Sequence, residues 1–191
     1  MSKHDFTWAE FESRRNRLRE EMRVRQLDWL IAIHPVSIHW LTGSDAKSYQ
    51  EFQCLLFPAS PGPLSVLTRQ GECAEFEADA WVDEVVGYGG GENEDPLRPF
   101  EQLASRLGLP RGRVGLEVPA YYLHPRHYLG LRDLLGGALV AEPTHLVADL
   151  KLVKSPAELG YIRQAADRAD RAQRAFEAAL RPGLSELELA A

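Results

Sequence analysis

Trp29-Leu30-Ile31-Ala32-Ile33-His34 runs directly into Pro35-Val36-Ser37-Ile38-His39-Trp40-Leu41-Thr42-Gly43. The first six residues are short, apolar and rich in strand formers, which reads as a buried strand. Pro35 ends that strand. Residues 37–41 have the length of one helical turn, and Gly43 stops it.

Upstream of this stretch, Thr7 is a good N-cap with Glu10 three residues on, the spacing of a capping box. Phe6 and Phe11 flank the cap as a hydrophobic staple. Trp8, Phe11, Leu18 and Met22 then recur at helical spacing, which predicts a helix over residues 8–25 with one apolar stripe. Arg14, Arg15, Arg17, Arg19, Arg23 and Arg25 are interleaved with Glu10, Glu12, Glu20 and Glu21, so this helix reads as a salt-laced surface element.

Downstream, strands are expected at 53–57, 64–68, 82–88, 113–118 and 138–142. Pro58-Ala59-Ser60-Pro61-Gly62-Pro63 is a turn, so the first two of these should pair antiparallel. Helices are expected at 71–80, 96–107 and 121–135. Strands alternating with helices define an α/β fold with a sheet covered on both faces, and the tight turn makes that sheet mixed.

The last segment differs in kind. Ser155 caps a helix, Pro156 takes its first position, and Glu158 completes a capping box. Leu159, Ile162, Ala166, Ala169, Phe176 and Leu180 form a long stripe that Pro182-Gly183 stops. Ser185 and Glu188 set up a further capping box close to Ala191. So short a helix does not hold itself in water. The expectation is a truncated chain, with one domain over residues 1–150 and a linker helix plus the start of a second domain over 151–191.

Composition sets the outer limits. The chain has 191 residues and a formal net charge of -6, which suits one soluble domain and disfavours nucleic-acid binding. Acidic residues crowd positions 72–101, where Arg98 is the sole base; this reads as a solvated face. Cys54 and Cys73 sit in or beside apolar runs without metal-ligand spacing, as buried free thiols in a reducing compartment do. No apolar leader region or membrane-length run is present. A cytoplasmic protein with no membrane partner is expected.

Catalytic chemistry is hard to find. His124 and His127 are three apart, but Pro125 lies between them and no carboxylate or cysteine flanks them at ligand spacing. His34 and His39 read as structural. No Gly-x-Ser-x-Gly elbow or His-Glu-x-x-His motif occurs. Gly89-Gly90-Gly91 follows a strand, but Glu92, Glu94 and Asp95 come next and would repel phosphate. Neither catalytic residues nor a metal site are expected in this chain.

Two segments carry a resemblance. Pro35-Val-Ser-Ile-His-Trp-Leu-Thr-Gly43 is similar to the Pro-x-Asn/Ser-x-x-Tyr/Trp-Leu-Thr/Ser-Gly turn of creatinase/prolidase N-terminal domains. Leu150-Lys-Leu-Val-Lys-Ser-Pro-Ala-Glu-Leu159, continued to Arg181-Pro-Gly-Leu-Ser-Glu186, resembles the helix and turn by which that superfamily enters its catalytic domain. The resemblance implies a mixed sheet of about six strands flanked by helices. It also implies a following pita-bread domain that carries the active site.

In peptidase members that site holds two divalent metal ions (manganese, cobalt or zinc) on two Asp, one His and two Glu. None of those five positions falls in this chain. Xaa-Pro aminopeptidases and dipeptidases of this type cleave before proline with metal-activated water. The resemblance thus implies the non-catalytic N-terminal domain of a metal-dependent Xaa-Pro peptidase. It would contribute to dimerisation and to selection of a small peptide substrate, with its own C-terminal catalytic domain and a second copy as partners. The same domain of a creatinase-like or ectoine-like small-molecule hydrolase or lyase is the alternative. A non-enzymatic peptide- or histone-binding module is the alternative of another class.

In dimeric members the loop after the Leu-Thr-Gly turn closes the neighbouring subunit's active site. Here that loop is Ser44-Asp45-Ala46-Lys47-Ser48-Tyr49-Gln50-Glu51-Phe52. Asp45, Tyr49, Gln50 and Phe52 are the expected cleft- or dimer-facing residues. Counted without gaps from Gly43, the substrate-gripping aromatic of creatinase falls on Tyr49 and its arginine on Glu51. An acid there repels a creatine-like carboxylate, which disfavours creatinase activity itself.

Overall fold

The computed structural model describes residues 4–45, 51–91 and 95–190. Thr7 opens the first helix, α1 (Trp8–Val24), by accepting from the Glu10 backbone N–H at 3.4 Å. The Glu10 carboxylate turns instead to Arg14 Nε at 3.2 Å, so half of the expected capping box forms. The Phe6 and Phe11 rings meet edge-to-face at 6.2 Å, as the staple requires. Phe11, Leu18 and Met22 are buried. Two corrections apply to this helix. Trp8 is 46% exposed and lies against Trp81 rather than in the core. Arg14 and Arg15, expected on the surface, are buried.

Six strands follow the expected alternation with helices. They are β1 (Trp29–Ala32), β2 (Cys54–Pro58), β3 (Ser65–Arg69), β4 (Glu84–Tyr88), β5 (Val114–Leu116) and β6 (Leu139–Ala141). The sheet order is β4-β3-β2-β1-β5-β6. β2 pairs antiparallel with both β1 and β3, across the proline-rich turn in the latter case. The remaining pairs, β3 with β4, β1 with β5 and β5 with β6, are parallel. The sheet is mixed because one tight connection reverses β2 while helical crossovers serve the rest.

Period-two alternation splits the core into two layers. Leu30, Ala32, Leu55, Phe57 and Val66 point to one face. There they meet α1, α2 (Pro35–Thr42), Phe76 of α3 (Cys73–Asp79), and α6 (Leu146–Leu152). Ile31, Ile33, Cys54, Leu56 and Leu67 point to the other face, under α4 (Leu97–Leu107) and α5 (Pro125–Leu135). Helix α6 was not among the expected elements. Pro35 opens α2 as its first residue rather than merely ending β1, since its missing N–H costs nothing there.

The chain divides into two compact units, Met1–Lys151 and Leu152–Ala191. The second contains α7 (Pro156–Ala179) and α8 (Glu186–Ala190). Both halves of the Ser155/Glu158 capping box are present. The Ser185/Glu188 pair closes the same way, with Ser185 N–H donating to Glu188 Oε2 at 2.9 Å and Glu188 N–H to Ser185 Oγ at 3.3 Å. No residue of α7 is buried.

Candidate functional site

Helix α2 carries the chain from the end of β1 to the loop after Gly43, and buried charges hold it at both ends. At its start, Glu117, just past β5, is 3% exposed. One carboxylate oxygen accepts from the backbone N–H groups of Ile33 and His34, each at 2.8 Å. The other accepts from Ser37 Oγ at 2.7 Å. Burial pushes the Glu117 carboxyl up from its ordinary range, while Ser37, the two backbone donors and Lys151 pull it back. All three neighbours can donate to it, so the carboxyl group is well satisfied in its buried place.

At the other end the last carbonyls of α2 face α1. Arg14 Nη1 donates to Trp40 O at 3.1 Å, and Arg15 Nε donates to Leu41 O at 3.0 Å. Arg15 Nη2 also donates to Trp81 O, while Trp81 N–H donates to Thr42 O at 2.7 Å. Burial lowers the Arg15 pKa to about 10, which leaves it charged at neutral pH. An acid at the helix start and cations at its end match the helix dipole, and they satisfy backbone groups that a short helix leaves orphaned. Arg14 further lies over the Phe6 ring at 4.2 Å.

The exit from α2 is equally constrained. Gly43 takes the left-handed conformation, φ 85°, that ends the helix. Thr42 Oγ1 donates to Ile38 O at 2.7 Å and accepts from Ser44 N–H at 3.3 Å. His39 Nδ1 lies 2.8 Å from Ser44 O, and since a carbonyl only accepts, Nδ1 carries the proton.

The return of the loop corrects one expectation. Phe52 does not face a cleft: it is 1% exposed, with its ring against Phe100 at 6.5 Å and His127 at 5.3 Å. Its carbonyl accepts from the Tyr88 hydroxyl at 2.6 Å. A large apolar ring beside the sheet gains more from the core than from water, so Phe52 anchors the loop. Asp45 is half-buried at the other root and has interaction partners. Tyr49 and Gln50 lie outside the described residues. Next to Phe52, the Gln53 side chain is 2% exposed and both polar atoms of its amide lack a hydrogen-bond partner among the described residues.

The other candidates serve the fold. His124 caps α5, its Nδ1 accepting from Arg126 N–H at 3.2 Å. His34 caps α2 in the same manner and lies against Tyr122 at 4.6 Å. Burial lowers the His127 pKa, and the neighbouring His124 adds to this. Among the described residues no group of three or more His, Cys, Asp or Glu could hold a metal ion. Cys54 and Cys73 are free and buried, and burial raises both thiol pKa values, which makes them unreactive. Gly89 and Gly90 form a turn at positive φ. Among the described residues no helix is long and apolar enough to cross a membrane.

Glu117 escaped the sequence reading. Its signal was an acid inside the apolar run Val114-Gly-Leu-Glu117-Val118, because a charge in such a place demands partners.

A mixed six-stranded sheet wrapped by helices, whose described polar groups brace the mount of one loop, defines the class: an α/β domain built on a single mixed sheet. The chain belongs to the creatinase/prolidase N-terminal domain family, which it matches over residues 14–153. It is 30% identical over 167 residues to the ectoine hydrolase of Halomonas elongata, covering 84% of this chain and 42% of that protein. It is also 30% identical over 193 residues to an uncharacterized hydrolase/peptidase of Sinorhizobium fredii, covering 97% and 49%. Among solved structures, the dipeptidase PepE from Mycobacterium ulcerans superposes with a TM-score of 0.70 at 26% identity, over 97% of this chain and 48% of that one. The Xaa-Pro dipeptidase from Bacillus anthracis shares the fold, with a TM-score of 0.72 at 19% identity over 94% and 46%. The chain therefore spans less than half the length of these relatives.

Proposed function

We propose that this chain is the non-catalytic N-terminal half of a metal-dependent Xaa-Pro peptidase, and that it selects substrate and supports a homodimer. The observation that carries this reading is the loop mount. Helix α2 is braced at both ends and Phe52 is sunk in the core, so the two ends of the intervening segment are fixed points. Binding and catalytic residues often sit on loops that a rigid scaffold positions. In this reading residues 152–191 form the linker helix and the first turn of a catalytic domain, and Asp45, Tyr49 and Gln50 meet the substrate or the second copy. In this reading the two divalent ions belong to the catalytic half. Their role there is to activate water.

A second reading, a small-molecule hydrolase of the ectoine type, is favoured by the 30% identity to ectoine hydrolase. One experiment separates the two. The complete reading frame is expressed and assayed on Xaa-Pro dipeptides, longer Xaa-Pro peptides and ectoine, with manganese and with chelator. Manganese-dependent cleavage before proline is the expected result. Ectoine hydrolysis without peptide cleavage selects the second reading, and no turnover of any of the three overturns both.

A further inference from the structure

At the end of β1 opposite α2, the last turn of α1, the starts of β1 and β5 and the turn after β2 border an open cavity of about 540 Å³. Arg19, Arg23 and Arg113 line it, against two acids, Glu20 and Asp28. Arg23 pairs with Glu20. Asp28 Oδ2 accepts from the Arg113 backbone N–H at 2.8 Å. The guanidiniums of Arg19 and Arg113 meet neutral groups instead. Arg19 Nη1 donates to Asn16 Oδ1 at 3.1 Å, and Arg113 Nε donates to the Gln26 carbonyl at 2.6 Å. Neither guanidinium forms an ion pair among the described residues.

Both are nevertheless held in place. Arg19 lies over the buried Phe57 ring at 5.3 Å, and its Nε is buried without a hydrogen-bond partner among the described residues. Burial lowers its pKa from the ordinary arginine value, with Glu12 opposing. Gln26 ends α1 at φ 55° and fixes Arg113 through its carbonyl. A cation partly withdrawn from water is costly unless an anion meets it. On the same helix Arg14, Arg23 and Arg25 each have a carboxylate.

We infer that this cavity binds a small phosphate monoester, with Arg19 and Arg113 as its charge partners. Two guanidiniums suit a doubly charged oxyanion, because each planar fork can take two of its oxygens. Asn16, Gln26 and Ser60 border the same space with amide and hydroxyl donors. The volume lies in the range of small-molecule sites and leaves room for the organic part of the ester. The net charge of -6 disfavours the phosphates of a nucleic acid as the occupant.

The test titrates the 191-residue chain with glycerol 3-phosphate, inorganic phosphate and acetate at constant ionic strength, and follows backbone amide shifts by NMR. Saturable shifts at Gln26, Ser60 and Arg113 are expected with glycerol 3-phosphate, at lower concentration than with inorganic phosphate. Arg113→Gln changes an exposed side chain, and Arg19→Met keeps the packing on Phe57. Each is expected to weaken binding about tenfold, the loss of one charge-assisted contact. Arg25→Gln removes the same charge from a pair outside the cavity and is expected to leave binding within about twofold. Should Arg19→Met fail to fold, Arg113→Gln decides.

The absence of saturable shifts at those three residues overturns the site. Equal weakening in Arg25→Gln reduces it to general charge attraction. Acetate binding as tightly as inorganic phosphate overturns the phosphate class, and inorganic phosphate binding as tightly as glycerol 3-phosphate overturns the monoester.

Discussion

Ser37 Oγ and Glu117 Oε1 lie 2.7 Å apart, joining the first turn of α2 to the end of β5 across 80 positions of sequence. With the Ile33 and His34 amides on the other oxygen, one side chain satisfies three donors in a nearly water-free place. Glu117→Leu leaves all three unpaired and is expected to cost about 3 kcal/mol or more in urea unfolding. Glu117→Gln keeps the network, because its carbonyl oxygen can take both amides and its NH2 can donate to Ser37. A loss below about 1 kcal/mol is expected there. Equal losses in the two variants would disprove this account.

The same group gives a pH prediction. Burial raises the Glu117 pKa in the folded protein above its ordinary value. The folded state then binds the proton more tightly than the unfolded chain does. The resulting stabilisation is complete below the ordinary carboxylate pKa and is lost as pH rises through the raised value. From about pH 4 upward through that raised value the wild type should therefore lose stability relative to Glu117→Gln, which has no such proton to lose. A difference that stays flat, or runs the other way, would show that the three donors outweigh burial.

Gln53 offers the opposite case. Its amide is buried, and neither of its polar atoms has a partner among the described residues. An unsatisfied buried amide carries a desolvation penalty, so Gln53→Leu should raise stability by about 1 kcal/mol. That gain appears as an increase of about 2–4 °C in melting temperature for a chain of this size. A fall instead would mean that the amide is bonded in solution.

These residues mark where the sequence was legible and where it was not. Leu30 and Ala32 against Ile31 and Ile33 disclose a strand buried on both faces, and the proline-rich run at 58–63 discloses the antiparallel pair. Local chemistry suffices for such elements. Arg14 and Arg15 misled because an arginine three or four residues from a glutamate has the same spacing on a surface helix as on a buried one. What buries them is the end of α2, 26 positions away. Phe52 misled because polar neighbours on the chain say nothing of Phe100 and His127, which arrive from other elements. Pairings over that range have no local signature.

Gly43 ends α2 at φ 85°, where a Cβ crowds the backbone. Gly43→Ala is expected to cost about 1–2 kcal/mol. Gly43→Asn should cost less, because asparagine tolerates this region better than other side chains. Thermal unfolding of the two variants checks the order, and equal costs would place the strain elsewhere.

Tyr49 and Phe52 are both aromatic, lie three positions apart, and have opposite expected roles. Phe52 is sealed in the core, so Phe52→Ala opens a cavity and should cost about 3–5 kcal/mol. Tyr49 lies outside the described residues, and its role comes from its place in the loop proposed to meet substrate. If that proposal is right, Tyr49→Ala leaves the melting temperature within about 1 °C and changes the preference between dipeptide and longer peptide in the full-length protein. Phe52→Ala must instead lower stability before it changes anything else. Unchanged kinetics for Tyr49→Ala would remove Tyr49 from the substrate-selecting surface and leave the loop as a connection between two well-anchored ends.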